Sequence, residues 1–267
     1  MGNLVPEKRI TFKCDNIGKV FHSKAGHVTA LEDVCLCAWE EEFISIVGPS
    51  GCGKTTLLKI IAGLQTPTRG TVEFNDHVLT NGFLRCALVF QRHGLFPWMN
   101  VLENVAFGLE MMKVPKKERN ERAMSFIRKI GLGELAKAWP HELSVGMCQR
   151  VGIARAFVSN PGILLLDEPF ASLDAQIRMV LQEELLQTWR KDPKVVILVT
   201  HDIEEAIMLG DRVLLMSGSP GKIREEFPIL IPRPRDPSIM RRSDFMDVKT
   251  YIWKKLRNEV KKSLAIN

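Results

Sequence analysis

Apolar positions fall into distinct rhythms along this chain. Short β-like runs at residues 9–12, 28–31 and 34–38, with turns marked by Gly18, Gly26 and Asp33, predict an N-terminal set of antiparallel strands. Phe43, Ile44, Ser45, Ile46 and Val47 form a denser run, and further strands are expected at 70–74 and 86–90. Over 101–159 the period lengthens to that of a helix. Val101, Val105, Leu109 and Met112 recur on one face, and Ala123, Phe126, Ile127 and Ile130 on another. Residues 163–166 and 195–199 are apolar without a break, as parallel strands covered on both faces must be. Between them Ile177, Leu181, Leu185 and Trp189 mark one face of an amphipathic helix. The order predicts an α/β chain with a parallel-sheet core and its ligand at the carboxyl edge of the strands. An antiparallel β subdomain precedes this core, and a helical subdomain over about 98–160 is inserted in it. Residues 1–231 are expected to form a single domain, followed by a basic helical tail over 232–267. No internal repeat is visible, so the chain carries one such core.

The run at 43–47 leads into Gly48-Pro49-Ser50-Gly51-Cys52-Gly53-Lys54-Thr55-Thr56, and Leu57, Leu58, Ile60 and Ile61 follow at helical spacing. This G-x-x-x-x-G-K-[ST] pattern, between a strand and a helix, reads as a phosphate cradle. Glycines let successive N–H groups converge on phosphate oxygens, and the N-terminus of the helix adds partial positive charge. Lys54 then neutralises β- and γ-phosphates, and the Thr55 hydroxyl ligates Mg²⁺. The expected fold is therefore a P-loop NTPase. The apolar strand at 163–166 ends in Asp167, suited to hold Mg²⁺, and Glu168, placed to polarise an attacking water. The strand at 195–199 ends in Thr200-His201-Asp202. His201 reads either as a γ-phosphate contact or as a structural histidine.

Composition sets limits on partners and address. With 267 residues, 45% hydrophobic and 25% charged, the chain has the make-up of a soluble globular protein. No apolar run approaches the roughly 18–20 residues of a membrane helix. Residues 1–8 lack a signal-peptide core, and Pro6 stands where a myristoylation signal wants Ser or Thr, so a cytosolic protein is expected. A net charge of +6 suits a nucleotide or an anionic membrane face as well as nucleic acid, so no nucleic-acid partner is inferred. Basic residues gather in the tail, at Arg233, Arg235, Arg241, Arg242, Lys254, Lys255, Arg257, Lys261 and Lys262, where a solvated helix face explains most of them. Cys14, Cys35, Cys37, Cys52, Cys86 and Cys148 form no C-x-x-C pair, so neither zinc nor a disulfide framework is expected. Most of them read as small buried hydrophobes. Cys52 lies inside the phosphate loop, where a thiol reagent is expected to obstruct nucleotide entry.

After the phosphate loop come Gln91, Leu143-Ser144-Val145-Gly146-Met147-Cys148-Gln149-Arg150, Leu166-Asp167-Glu168-Pro169, Ser172-Leu173-Asp174 and His201. In that order they resemble ATP-binding cassette ATPases over nearly the whole chain. The resemblance implies ATP and Mg²⁺ as cofactors and two subunits facing head to tail around two ATP molecules. It implies that Gln91 contacts Mg²⁺, senses the γ-phosphate and signals to a transmembrane partner. Ser144 and Gly146 would close over the ATP of the opposite subunit, and Asp174 would lie at the seam. A helix expected over 149–159 would direct its N-terminal donors there. Phe21 stands where the family stacks an aromatic ring on adenine; a core phenylalanine is the other reading.

A narrower resemblance is to the nitrate/sulfonate/taurine importer branch. It rests on Leu95-Phe96-Pro97-Trp98, Met147, Asp167-Glu168-Pro169-Phe170, residues 199–206, Ser219-Pro220-Gly221-Lys222-Ile223 and Pro232-Arg233-Pro234-Arg235. It implies a homodimer on the inner face of the membrane, bound to an integral permease and served by an external solute-binding protein, importing small anionic or sulfonated solutes. Phe96, Pro97, Trp98 and Met99 would help form the groove for the permease, or Trp98 is a core contact. A soluble non-transport cassette ATPase and a degenerate regulatory cassette are the alternatives. Val145 departs from the family by replacing the first glycine of the signature, and its β-branched side chain is expected to restrict the backbone and crowd the opposing phosphate.

Overall fold

Residues 9–23, 26–75, 77–78, 86–91, 94–171 and 173–265 are described by a computed structural model. Pro6 and Ser172 lie outside these described residues. Along the chain run β1 (Ile10–Ser23), β2 (Gly26–Trp39), β3 (Phe43–Val47), α1 (Lys54–Ile61), β4 (Arg69–Phe74), β5 (His77–Val78) and β6 (Cys86–Val89). Then come α2 (Val101–Met111), α3 (Lys116–Lys129), α4 (Val145–Val158), β7 (Ile163–Asp167) and α5 (Ala175–Lys191). The last elements are β8 (Val195–Thr200), α6 (Ile203–Leu209), β9 (Arg212–Met216), β10 (Ile223–Pro228) and α7 (Ser243–Ala265). Two compact units result, Met1–Leu84 with Pro193–Asn267, and Arg85–Asp192.

The first unit holds an antiparallel sheet ordered β2-β1-β4-β5. Its first two strands depart from the sequence expectation. Residues 28–31 and 34–38 belong to one continuous strand of 14 residues, and Asp33 is no turn between them. Asn16 and Asp33 instead adopt left-handed backbone, at φ 51° and 50°. Each shifts the side-chain phase by one position. Phe12 and Cys14 are buried before Asn16 and Ile17 after it, and Leu31 precedes Asp33 as Val34, Leu36 and Ala38 follow it. Asn and Asp tolerate this conformation better than other non-glycine residues.

The same unit contains β3 between β8 and β9, all parallel, with β10 antiparallel on β9. Every residue of β3, β8 and β9 is buried, which is why their sequences carry no polar alternation. Helix α6 packs on β3, β8 and β9, and α7, whose Phe245 and Ile252 are buried, packs on α6 and β9. The tail corrects the picture of a solvated basic face at two positions. Arg235 is 4% exposed and donates to the carbonyls of Ile207 (2.7 Å), Ile231 (2.9 Å) and Gly210, so it closes the C-terminal end of α6. Burial, with the Arg233 charge second, pulls its guanidinium down to about 10, leaving it charged at neutral pH. Arg233 pairs with Asp211 at 2.8 Å, and the other Asp211 oxygen accepts from the Phe43 amide at 3.0 Å.

In the second unit β6 and β7 pair in parallel. Helices α2, α3 and α4 enclose a core that includes Val101, Val105, Leu109, Ala123, Ile127 and Val151. Asn100 and Glu103 form a reciprocal cap at the start of α2. Asn104 is fully buried one turn later. Its amide donates to the carbonyls of Phe96 (3.1 Å), Met99 (2.8 Å) and Asn100 (3.1 Å), and its oxygen accepts from the Phe96 amide at 2.9 Å. The 96–99 loop is thereby held from beneath.

Arg235→Ala removes a charged donor from several buried carbonyls at once. With each such bond worth about 1.5–3 kcal/mol, it should lower the unfolding free energy by about 3 kcal/mol. Arg241→Ala, at an exposed position, should stay within about 0.5 kcal/mol of wild type. Urea unfolding followed by circular dichroism compares the two; equal small effects would show that Arg235 is no clamp.

Candidate functional site

In the first unit the phosphate loop leaves the carboxyl end of β3 and enters α1 through Gly53. Gly53 has φ 100°, and a Cβ there would lie 2.7 Å from Leu31 Cδ2 and 2.8 Å from the Ala30 carbonyl oxygen. Only glycine meets both conditions. No side chain caps α1 and its first turn contains no acidic residue, so the helix itself supplies no negative charge at its positive end. That fits an anionic phosphate. Lys54 is 6% exposed and folds over its own loop, donating to the carbonyls of Gly48 and Pro49 at 2.8 Å each. Gly48, Pro49, Ser50, Gly51, Thr55 and Thr56 complete the loop and the start of the helix.

Cys52 behaves differently from the sequence expectation. Its side chain is 1% exposed, turned behind the loop, and burial raises its thiol pKa despite the opposing pull of Lys54. It is a shielded thiol and a poor nucleophile. Of the other cysteines Cys14 and Cys148 are buried, Cys37 and Cys86 are half-buried, and Cys35 is exposed.

Val47 pairs with Thr200, so His201 leaves the sheet beside the phosphate loop. The Thr200 hydroxyl donates to the Glu205 carboxylate and accepts from the Asp202 amide at 3.0 Å. Asp202 caps α6 by accepting from the amides of Glu204 and Glu205. His201 is exposed on a backbone held on both sides. Phe21, near the end of β1, is 38% exposed with Lys19 Nζ 5.3 Å from its ring centre, which removes it from the core.

The second unit gathers another set. Val89 pairs with Leu166, which brings Gln91 and Asp167 to adjacent strand ends. Gln91 Nε2 donates to Glu168 Oε2 at 3.2 Å. Asp167 is 5% exposed. Glu168 holds a left-handed backbone at φ 48°, a conformation costing about 1–3 kcal/mol in a residue of this kind. Helix α4 begins at Val145, four positions earlier than the sequence suggests, because Ser144 caps it by accepting from the Met147 amide at 3.3 Å. Val145 is exposed and absent from the left-handed residues, so it holds a backbone that a β-branched residue can adopt. A Cβ at Gly146 would sit 3.4 Å from Leu173, and Asp174 caps α5 by accepting from Ile177 at 3.0 Å. Trp98 is 66% exposed, so it is not a core contact. Among the described residues no cluster of three or more metal-ligating side chains occurs, and no helix is long and apolar enough to cross a membrane.

Residues 31–171, which span the phosphate loop, the Gln91–Glu168 pair and the capped signature helix, match the family model described as ABC transporter. The chain belongs to the ABC transporter family. It is an ATP-binding cassette, an ATPase, with the α/β P-loop NTPase fold. It is 45% identical over 256 residues to an uncharacterized ABC transporter ATP-binding protein of Methanocaldococcus jannaschii, covering 96% of this chain and 95% of that one. It is 44% identical to the aliphatic sulfonates import ATP-binding protein SsuB of Bacillus subtilis, across 82% of this chain and 84% of the relative. The nitrate import ATP-binding protein NrtD of Synechocystis is 42% identical, across 81% and 82% respectively. A solved dimeric structure of a post-hydrolysis state of the ATP-binding cassette MJ0796, bound to ADP and Pi, superposes with a TM-score of 0.74 at 34% identity. That match covers 82% of this cassette and 98% of the solved chain.

Sequence reasoning used Gly221 only as a mark of the importer branch and missed its role behind the phosphate loop. A Cβ there would lie 2.1 Å from the Cys52 carbonyl oxygen and 2.4 Å from Met216 Cε. Its amide donates to the Ala30 carbonyl at 2.9 Å, and its carbonyl accepts from Glu32 at 3.0 Å. The Ser219-Pro220-Gly221 segment thus backs the phosphate loop, and its two turn-forming residues were the available signal.

Gly221→Ala should displace the loop and weaken ATP binding at least tenfold, measured with a fluorescent nucleotide; unchanged affinity would show that the loop needs no such backing. Maleimide labelling followed by mass spectrometry should find Cys35 modified well before Cys52 in the native protein. Rapid labelling of Cys52 would contradict its shielding.

Proposed function

We propose that this cassette is the ATP-hydrolysing subunit of an importer for small anionic or sulfonated solutes. It works as a homodimer on an integral permease at the inner face of the membrane. The observation that carries the catalytic half of this reading is the hydrogen bond from Gln91 to Glu168 at neighbouring strand ends. The importer half is supported by relatives named for sulfonate and nitrate import. An external solute-binding protein would deliver the solute, and the relatives' names suggest its class.

The residues divide the work. Lys54 exchanges two loop carbonyls for phosphate oxygens, while Gly48, Gly51, Gly53 and the start of α1 offer backbone donors. Phe21 offers an open ring face for adenine. Thr55, Asp167 and Gln91 would hold Mg²⁺ through their oxygens, and the ion would neutralise phosphate charge. Glu168 accepts the proton of the attacking water, and Gln91 holds one of its carboxylate oxygens in place. His201 faces the γ-phosphate. Ser144 and Gly146 face the nucleotide of a second copy, and Asp174 lies at that seam. The exposed Trp98, on a loop clamped by Asn104, supplies the docking face for the permease.

Lys54→Ala should abolish ATP binding. Glu168→Gln should keep it, accumulate an ATP-bound dimer and lose about 10²–10⁴ in turnover. Binding by equilibrium dialysis, dimerisation by light scattering and phosphate release separate these effects; wild-type turnover in Glu168→Gln would remove Glu168 as the base. Trp98→Ala should leave ATP binding by the isolated subunit within twofold while reducing its recovery with the permease in detergent. Undiminished recovery would place the docking face elsewhere.

A further inference from the structure

Helices α3, α4 and α5 enclose a cleft of about 140 Å³ within the second unit. Its walls are mostly apolar, with Phe126, Ile153, Phe157, Leu181 and Leu185 among them. The volume is close to the roughly 150 Å³ that accommodates a benzene ring in a protein interior. The charged groups at this cleft are Lys129 from α3, Arg150 from α4, and Glu184 and Lys191 from α5. Three cations therefore face one carboxylate. Arg150 Nε and Glu184 Oε2 are both buried and lack a hydrogen-bond partner, although Arg150 Nη1 reaches the Ile130 carbonyl at 3.4 Å. Buried polar atoms left unsatisfied are uncommon, and two of them at one cleft call for a ligand or a water.

We propose that this cleft binds a small amphipathic organic anion, a single carboxylate or sulfonate head on an apolar body of about six carbons. The body fills the space between Phe126, Ile153 and Leu185. The head accepts from the guanidinium of Arg150 and is drawn by Lys129 and Lys191, whose exposed side chains stand at the rim. Lys129 Nζ already lies 4.6 Å from the centre of the Phe126 ring, which places its charge against the apolar wall. Burial raises the Glu184 carboxyl pKa, with Arg150 pulling the other way. A free fatty-acid-like carboxylate and an alkanesulfonate share this chemistry. The inference does not rest on the transport reading, because the cleft involves none of the residues assigned to nucleotide.

The test is isothermal titration calorimetry on the full chain, saturated with MgADP so that the phosphate loop cannot take the probe. Hexane-1-sulfonate and hexanoate are the anionic probes, and 1-hexanol is the neutral one. Saturable one-to-one binding of at least one anion is expected, at least tenfold tighter than 1-hexanol. The Lys129→Ala/Lys191→Ala variant, altered only at exposed rim positions, should weaken that binding at least tenfold. Ala154→Leu, which adds bulk to the wall, should abolish it. If Ala154→Leu does not fold, the rim variant decides. No saturable anion binding, equal affinity for 1-hexanol, or undiminished binding in the rim variant would each overturn the proposal.

Discussion

A loop that offers its backbone amides to phosphate cannot also commit them to neighbouring strands, so it must be held from behind. Here the holding surfaces approach so closely that Gly48, Gly53 and Gly221 all lack room for a Cβ. Gly53 lies against Ala30 and Leu31 of β2, and Gly221 lies against the Cys52 carbonyl. The β2 strand and the 219–221 segment are themselves joined by the Gly221–Ala30 and Glu32–Gly221 hydrogen bonds. The loop, the antiparallel sheet and the turn after β9 therefore form one packed object. The turn's position depends on β9, whose first residues follow Asp211, and Asp211 is tied to Phe43 at the start of β3 and to Arg233 in the tail. Residues 233 and 235 brace the far end of the strands that deliver the phosphate loop.

The second unit follows a different economy. Its candidate site residues lie at strand ends and helix starts. Glu168 accepts a strained left-handed backbone between a fully buried strand and a buried proline. Strain of this size persists only where the surroundings over-determine it, and the apolar residues of β7 do so. Ser144 and Asp174 spend one side-chain oxygen each on capping their own helices. Their remaining capacity faces outward, because both residues are exposed.

What the sequence made legible follows from how local each signal is. Strands β3, β7 and β8 are uninterrupted apolar runs, and the phosphate loop is a contiguous pattern, so both could be read directly. The strands β1 and β2 could not, because a single left-handed residue in each inverts the alternation on which strand reading depends, and Asp33 looks the same in a bulge as in a turn. The start of α4 was missed because its cap is the signature serine itself, followed by valine and glycine, neither of which favours a helix. The packing roles of Gly221 and Arg235 were illegible for a deeper reason. Their partners lie far away in sequence, at Ala30, Cys52 and the α6 carbonyls, and no local pattern records contacts of that range.

Val145 shows where the reach of a single chain ends. The position opens α4 in ordinary backbone geometry, with more than half its surface exposed at 58%, so nothing inside this subunit demands glycine there. Gly146 differs in lying on an inner face, where a Cβ would come into contact with Leu173 at 3.4 Å and Ile177 at 3.9 Å. A preference for glycine at 145 must then come from whatever faces the outer surface of the helix start. If that is the nucleotide of a second copy, the β-branched side chain modifies the closing surface and leaves the fold untouched. The monomer's stability and nucleotide affinity are then insensitive to residue 145, and its influence is confined to association.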